Sequence, residues 1–496
     1  MKLIIRTDAS SRIGTGHLMR CLALAQAWKM SGGEAVFILN IEAASLEMRL
    51  KAEGFTIFYL PIHLTSSEDA QETAKLAQQL NSQWVVVDGY HFDAEYQQTI
   101  KHSGLKILFI DDYKHAKYYY ADIVLNQNIY ANENLYINRL PDTKLLLGTD
   151  YTLLRSEFWQ WQKWKRINPP IAKKILVAMG GADPDNVTLK VMAALQQLEV
   201  NELEVVVIVG GSNPHYEQLK LASQTSQFPI RLEKNVTNIP ELMAWADLAV
   251  TAGGSTCWEL AFMGLPSLIL ILAENQRAIA QKLNELGTAI NMGYYDHVRI
   301  TEIAAAIEQL INSANIRTQM TKGSQKLIDS KGSHRVLSYI EKDLLKWRFV
   351  CAEDCQLLWQ WANDIDVRAA SFCSEPIPWE HHVQWLNSKL ASDNCVFYIV
   401  TDYKNFPIGQ VRYDLENEQA NVSVSIDKQF RHQGYGSYLL NITQKQLFQD
   451  QNITRIHAYI KLCNQSSIKT FTKVGFQSLG ITTQPGQEAI HLVLDR

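Results

Sequence analysis

Residues 2–20 read Lys2-Leu3-Ile4-Ile5-Arg6-Thr7-Asp8-Ala9-Ser10-Ser11-Arg12-Ile13-Gly14-Thr15-Gly16-His17-Leu18-Met19-Arg20. The run at 2–6 has the pattern of a buried strand. A polar loop with two glycines follows, and a helix is expected from His17 to Met30. Strand, glycine loop and helix open a parallel α/β unit, and the chain keeps that alternation. Further strands are expected at 35–39, 84–88 and 107–110, with helices between them, one at 67–80. Continuous apolar runs are what strands covered on both faces require.

Working outward, Ile167-Asn168-Pro169-Pro170 reads as a linker. A second α/β series follows, with strands at 174–179, 204–209, 248–251 and 267–272 and helices at 186–198, 239–245 and 255–263. Two such units joined by a short linker imply a cleft, with ligands at the carboxyl ends of strands. Near 343–349 the pattern changes. Alternating strands at 396–401, 408–414, 421–426 and 455–460, with helices at 435–449 and 465–474, indicate an α+β domain. The expected domains are 1–166, 171–345 and 348–496.

Bulk properties agree with that division. The chain has 496 residues, and roughly three domains are expected at about 100–200 residues each. Net charge is −4, without charged blocks, so neither nucleic acid nor an anionic membrane surface is expected as a partner. Seven cysteines (Cys21, Cys257, Cys351, Cys355, Cys373, Cys395 and Cys463) form no Cys-x-x-Cys, which fits reduced thiols in a cytoplasmic protein. The apolar start ends at Arg6, too early for a signal peptide, and the run at 265–273 contains Pro266, so no membrane span is expected.

In the first loop, glycines let the backbone approach a ligand, and a helix start favours an anion. It matches neither a Walker loop nor Gly-x-Gly-x-x-Gly. His17 begins the helix, whose positive end disfavours a charged ring, so a neutral general base is expected. A capping or core histidine is the competing reading. In the second loop, Thr251-Ala252-Gly253-Gly254-Ser255-Thr256 again joins a strand to a helix. The N–H groups of 254–256 and the hydroxyls of Ser255 and Thr256 suit a diphosphate, and Glu259 suits ribose hydroxyls. An ordinary strand-to-helix turn is the alternative there.

The segment Arg6-x-Asp8…Ile13-Gly14-x-Gly16-His17-x-x-Arg20 resembles the opening of the UDP-sugar hydrolases of the pseudaminic acid pathway. The resemblance continues through Val87-Asp88-Gly89-Tyr90, Asp111-Asp112, Leu147-Gly148 and Leu153-Leu154-Arg155-Ser156-Glu157-Phe158, over essentially the first 345 residues. It implies two Rossmann-like domains in the GT-B arrangement of MurG-like glycosyltransferases. It implies hydrolysis of UDP-2,4-diacetamido-2,4,6-trideoxy-β-L-altropyranose with His17 as base, and substrate contacts at Arg12, Gly14, Gly16 and Tyr90. Gly253-Gly254-Ser255-Thr256-x-x-Glu259-Leu260-Ala261…Gly264-x-Pro266 looks like the UDP-binding element of MurG-like enzymes. By the same resemblance Asn275 and Gln276 face the sugar, and the main chain of Val236 cradles uracil. The loop at 180–186 is expected in the cleft. UDP is a good leaving group, so the expected reaction is metal-independent C–O cleavage with inversion, water being deprotonated by His17.

Phe430-Arg431-His432-Gln433-Gly434-Tyr435-Gly436-Ser437 precedes a helix, and Asn464-x-x-Ser467-x-x-x-Phe471-x-x-x-Gly475-Phe476 follows the next strand. Together they resemble the two signature motifs of the GNAT N-acetyltransferases. That implies acetyl-CoA as co-substrate, bound at Arg431, Gln433, Gly434, Gly436 and Asn464. Many family members carry a tyrosine as general acid where this chain has Phe471, which has no proton to give. Trp361-Ala362-Asn363-Asp364, Arg368 and His381…Trp385 resemble the branch acting on amino-sugar nucleotides or protein N-termini. Acetylation of the 4-amino UDP-sugar directly precedes UDP removal in that pathway, so a bifunctional chain performing consecutive steps is expected. Three alternatives stay open: sugar transfer to another acceptor, UDP-sugar binding without hydrolysis, and acetylation of another amine.

Overall fold

The computed structural model describes residues 1–8, 15–40, 44–61, 65–234, 236–484 and 486–496. The chain divides into two compact units, Met1–Leu337 and Ser338–Arg496.

The N-terminal unit holds two parallel sheets. The first is built from β1 (Lys2–Thr7), β2 (Glu34–Leu39), β3 (Thr56–Tyr59), β4 (Trp84–Asp88), β5 (Lys106–Ile110), β6 (Ile123–Asn126) and β7 (Lys144–Leu147), in the order β3-β2-β1-β4-β5-β6-β7. The second is built from β8 (Lys174–Ala178), β9 (Glu204–Val209), β10 (Ile230–Lys234), β11 (Leu248–Ala252), β12 (Ser267–Ile271) and β13 (Ile290–Tyr294), in the order β10-β9-β8-β11-β12-β13. Each sheet reverses its strand order once, between β1 and β4 and between β8 and β11. Loops leaving the carboxyl ends of those strand pairs splay to opposite faces and leave a crevice. Thr7 is level with Asp88 at one reversal, and Thr251 with Ala178 at the other. The glycine loops singled out in the sequence leave the sheets at these two points.

Valines at 85–87 are fully buried, so Asp88 stands at the end of a strand fixed by packing on both faces. The helix Gly16–Met30 is buried nearly all round, from His17 and Leu18 to Trp28. A helix of that kind has no solvated stripe for charge, so a charged side chain on it must be paired inside the protein.

The C-terminal unit contains one sheet of β14 (Lys346–Phe349), β15 (Cys395–Thr401), β16 (Pro407–Glu416), β17 (Gln419–Ile426), β18 (Arg455–Lys461), β19 (Gln477–Gln484) and β20 (Gln487–Asp495), in the order β14-β15-β16-β17-β18-β20-β19. All neighbours are antiparallel except β17 and β18. The segment around 345–348, read from sequence as a boundary, holds β14, and the division between units falls before it. Helices Tyr435–Asp450 and Gln465–Lys473 pack their apolar sides on β15–β18 through Leu439, Leu440, Leu447 and Phe471.

Candidate active site

His17 and Arg20 lie one turn apart on the same face of their helix. Arg20 Nε donates to Asp88 Oδ2 at 2.7 Å and Nη2 to Asp88 Oδ1 at 2.7 Å, a two-pronged grip on the carboxylate. Its Nη1 donates to Asp112 Oδ1 at 2.7 Å, which Asn128 Nδ2 also reaches at 2.9 Å. His17 Nδ1 lies 2.7 Å from Asp88 Oδ1. A carboxylate accepts, so Nδ1 carries a proton, and in the neutral ring the lone pair is then on Nε2. Burial favours a neutral Asp88, but Arg20 and His17 outweigh it and hold the carboxyl well below the usual range. Asp112 is lowered in the same way, Arg20 prevailing over burial.

Tyr90 closes the cluster. Its ring meets His17 edge-on at 4.5 Å, and its hydroxyl donates to Asp112 Oδ2 at 2.8 Å. Burial and Asp112 push the phenol up, so it stays a proton donor. Asn275 Nδ2, from the half built on the second sheet, donates to the same hydroxyl at 3.1 Å. The imidazole is 6% exposed, but its neighbours are carboxylates, a guanidinium and a phenol, so a plain core histidine does not describe it.

The two glycine loops meet beside this cluster. A β-carbon on Gly16 would come within 3.1 Å of Ser255 Oγ, and one on Gly181 within 2.6 Å of Thr15 Oγ1. Next to that contact is a cavity of about 810 Å³, lined by Gly16, Arg20, Gly181, Val236, Ser255, Thr256, Arg155 and Glu259 among others. That volume suits a nucleotide-sized ligand. His17, Tyr90 and Asn275 are not in its lining. Among the described residues, the first donors of the helix Thr256–Phe262 bonded within the chain are Cys257, to Gly254 at 3.0 Å, and Trp258, to Ser255 at 3.0 Å. The N–H groups of 254–256 are therefore those left for a ligand.

Other expected residues have different surroundings. The Gln276 amide oxygen, expected near the sugar with Asn275, is engaged at the glycine turn. This Oε1 accepts from the N–H of Gly253 at 3.1 Å and of Leu272 at 3.0 Å, so it braces the turn. Glu259 receives Arg155 Nη2 at 2.7 Å, and Arg155 Nη1 is 3.1 Å from Glu157. Burial pushes the Glu259 carboxyl up against the pull of Arg155. Arg12 and Gly14 lie outside the described residues. No role was assigned from sequence to Arg20, Asp88, Asp112 or Arg155. Each stands in a motif quoted above, Asp88 at the end of one strand pattern and Asp112 just past another.

In the C-terminal unit, Gly434 takes φ +79° and starts the helix Tyr435–Asp450. A β-carbon on Gly436 would stand 3.1 Å from Thr470, so this glycine lets two helices touch. Arg431 was expected to meet the coenzyme, but its Nη1 is held by Asp364 at 2.7 Å and Asp366 at 2.9 Å and its Nε by the Ile426 carbonyl. Gln433 Nε2 donates to the Gln429 carbonyl. Asn464 Oδ1 caps the helix Gln465–Lys473 through the Ser467 N–H. Phe471 is buried against Phe476.

Residues 175–336 match the glycosyltransferase family 28 C-terminal domain, and residues 345–477 match the acetyltransferase (GNAT) domain. The crystal structure of Acinetobacter baumannii MurG aligns with 68% of this chain and 99% of its own, with a TM-score of 0.50 and 16% identity. The N-terminal unit thus has the MurG-like GT-B fold. An uncharacterized protein of Methanocaldococcus jannaschii is 25% identical over 98% of each chain, so its match spans both units. A UDP-2,4-diacetamido-2,4,6-trideoxy-beta-L-altropyranose hydrolase of Campylobacter jejuni is 27% identical over 300 residues, 59% of this chain and 100% of its own.

This is an enzyme of two parts. The first is similar to a UDP-sugar hydrolase and the second matches the acetyltransferase (GNAT) domain. Among the described residues, no helix is long and apolar enough to cross a membrane.

Proposed function

We propose that the N-terminal unit hydrolyses UDP-2,4-diacetamido-2,4,6-trideoxy-β-L-altropyranose to UDP and free sugar, and that the C-terminal unit makes this substrate by acetylating the 4-amino precursor. The observation that carries the reading is the His17–Asp88–Arg20 cluster beside the meeting of the two glycine loops. UDP lies in the cavity, its diphosphate at the N–H groups of 254–256 and its ribose toward Glu259. The sugar reaches past Gly16 toward Tyr90 and Asn275. His17 Nε2 removes a proton from water, Asp88 holds Nδ1–H and stabilises the imidazolium that forms. The new C–O bond forms opposite the departing UDP, whose weakly basic phosphate needs little protonation, and the configuration inverts. The step asks for no metal. A UDP-sugar and acetyl-CoA are cytoplasmic metabolites, and the reading places the chain there.

The test is incubation of the full chain with the 4-amino UDP-sugar, with and without acetyl-CoA, followed by mass spectrometry. The expected outcome is gain of one acetyl group and then loss of UDP, only when acetyl-CoA is present. In ¹⁸O water the label should appear in the sugar; label in UDP would refute the mechanism. Loss of UDP only with an added acceptor, with the sugar joined to that acceptor, would show a transferase instead.

A further inference from the structure

In the C-terminal sheet, β17 and β18 are parallel but paired only between 419–421 and 455–457. Beyond His457 they part. β17 runs on to Ile426 against β16, and β18 runs on to Lys461 against β20. The open end of this V lies toward the glycine turn at Gly434, which follows β17. An acetyl-CoA with its pyrophosphate at that turn would have this gap for its pantetheine arm, with the thioester toward the closed end.

A row of three side chains crosses the sheet at that closed end. His457 Nε2 is 2.9 Å from Gln419 Oε1, and His457 Nδ1 is 2.9 Å from His491 Nε2. An amide oxygen only accepts, so His457 Nε2 carries a proton and its Nδ1 a lone pair. His491 Nε2 must then be the donor, which leaves His491 Nδ1 as a proton acceptor. Tyr459 stacks on His491 at 4.5 Å and fixes the ring. Along β18, Ile456, Ala458 and Ile460 are buried in the core beneath the helices. His457 and Tyr459 alternate with them and therefore face the other way. The segment around 369–372 skirts that face, held by Lys461 Nζ to the Ala369 carbonyl and Gln487 Nε2 to the Phe372 carbonyl.

We propose that the His457–His491 pair takes the proton from the acceptor amine during acetyl transfer. The inference rests on the C-terminal unit being an acetyl-CoA-dependent acetyltransferase, not on which amine it uses. An ammonium gives one proton to His491 Nδ1, and the freed lone pair attacks the thioester carbonyl. The C–N bond forms and the C–S bond breaks, with sulfur taking the electron pair. The second proton of the attacking nitrogen passes to sulfur, giving amide and CoA thiol, and His491 returns its proton to solvent. This route needs no hydroxyl at position 471. Burial, the neighbouring ring and Arg455 hold His457 below the ordinary histidine range, and burial and Arg455 do the same for His491. The other charged or titratable groups facing the pair are Asp495, bound to Arg455, and Tyr459 and Lys461 on β18.

Two measurements on the full chain test this. The first is the pH profile of kcat/KM for CoA release with the 4-amino UDP-sugar as acceptor. His491→Gln should lower it about 10²-fold at pH 7, leave KM for acetyl-CoA unchanged, and approach the wild type as pH rises and the amine deprotonates by itself. A deficit equal at every pH would overturn the proposal. The second needs no acceptor. Carbethoxylation of His457 and His491 by diethyl pyrocarbonate, mapped by mass spectrometry, should slow severalfold with saturating acetyl-CoA, and unchanged rates would overturn it. A wild-type chain that leaves this sugar unacetylated would refute the acceptor reading alone, because protection would still decide the pair.

Discussion

At the scale of single residues, the proposed hydrolase site turns on Asp88. Asp88 Oδ1 receives both His17 Nδ1 and Arg20 Nη2. Asp88→Asn would keep the shape but offer an amide where a carboxylate fixed the tautomer. We expect kcat for UDP release to fall by about 10²-fold or more with little change in KM, measured by steady-state kinetics. The pair Asp88 and Asp112 also sets an acid limit. Both carboxyls are lowered in the folded protein, so their stabilisation is complete above the unfolded value of about 4 and is lost as pH falls toward the folded values. The melting temperature of the N-terminal unit should drop as pH falls below about 4, and Asp112→Asn should flatten that dependence. The pairing of these groups was not legible from the sequence. His17, Arg20 and Asp88 stood in quoted motifs, but Arg20 and Asp88 are 68 residues apart, and only the pairing of β1 with β4 brings them together.

At the scale of elements, legibility followed burial. Strands covered on both faces, such as β1, β4 and β11, were plain as apolar runs, and the helices between them as periodic ones. β3 is only partly buried, and β19 (QSLGITTQ) is mostly exposed. Strands of that kind carry no hydrophobic pattern to read, because their pairing partners supply the reason for extension. The glycine turns were legible as strand-to-helix turns, whereas their bracing was not. Gln276 supports the turn at Gly253, and Arg155 reaches Glu259 from the segment after the first sheet. Removing Arg155 should weaken UDP binding about tenfold, by about 1.4 kcal/mol. Without the guanidinium, burial drives Glu259 further toward its neutral form. UDP affinity of Arg155→Ala should therefore rise with pH as the Glu259 carboxyl ionises, while that of the wild type changes less. Calorimetric titration with UDP across pH checks both statements.

At the scale of the molecule, the chain consists of two units with separate cores. Each ligand should stabilise only the unit that binds it. Scanning calorimetry should resolve two transitions, with UDP raising one and acetyl-CoA the other, each by about 2.7 kcal/mol at a hundredfold excess over Kd. A ligand that moves both equally would show that the units unfold together. Within the N-terminal unit, Asn275 bonds the Tyr90 hydroxyl from the opposite half, and Thr15 lies against Gly181 with no space for a side chain. These contacts act as an interlock. Any change in the spacing of the halves would separate Asn275 from the Tyr90 hydroxyl, so the fit of the second half is felt directly at the ring that meets His17.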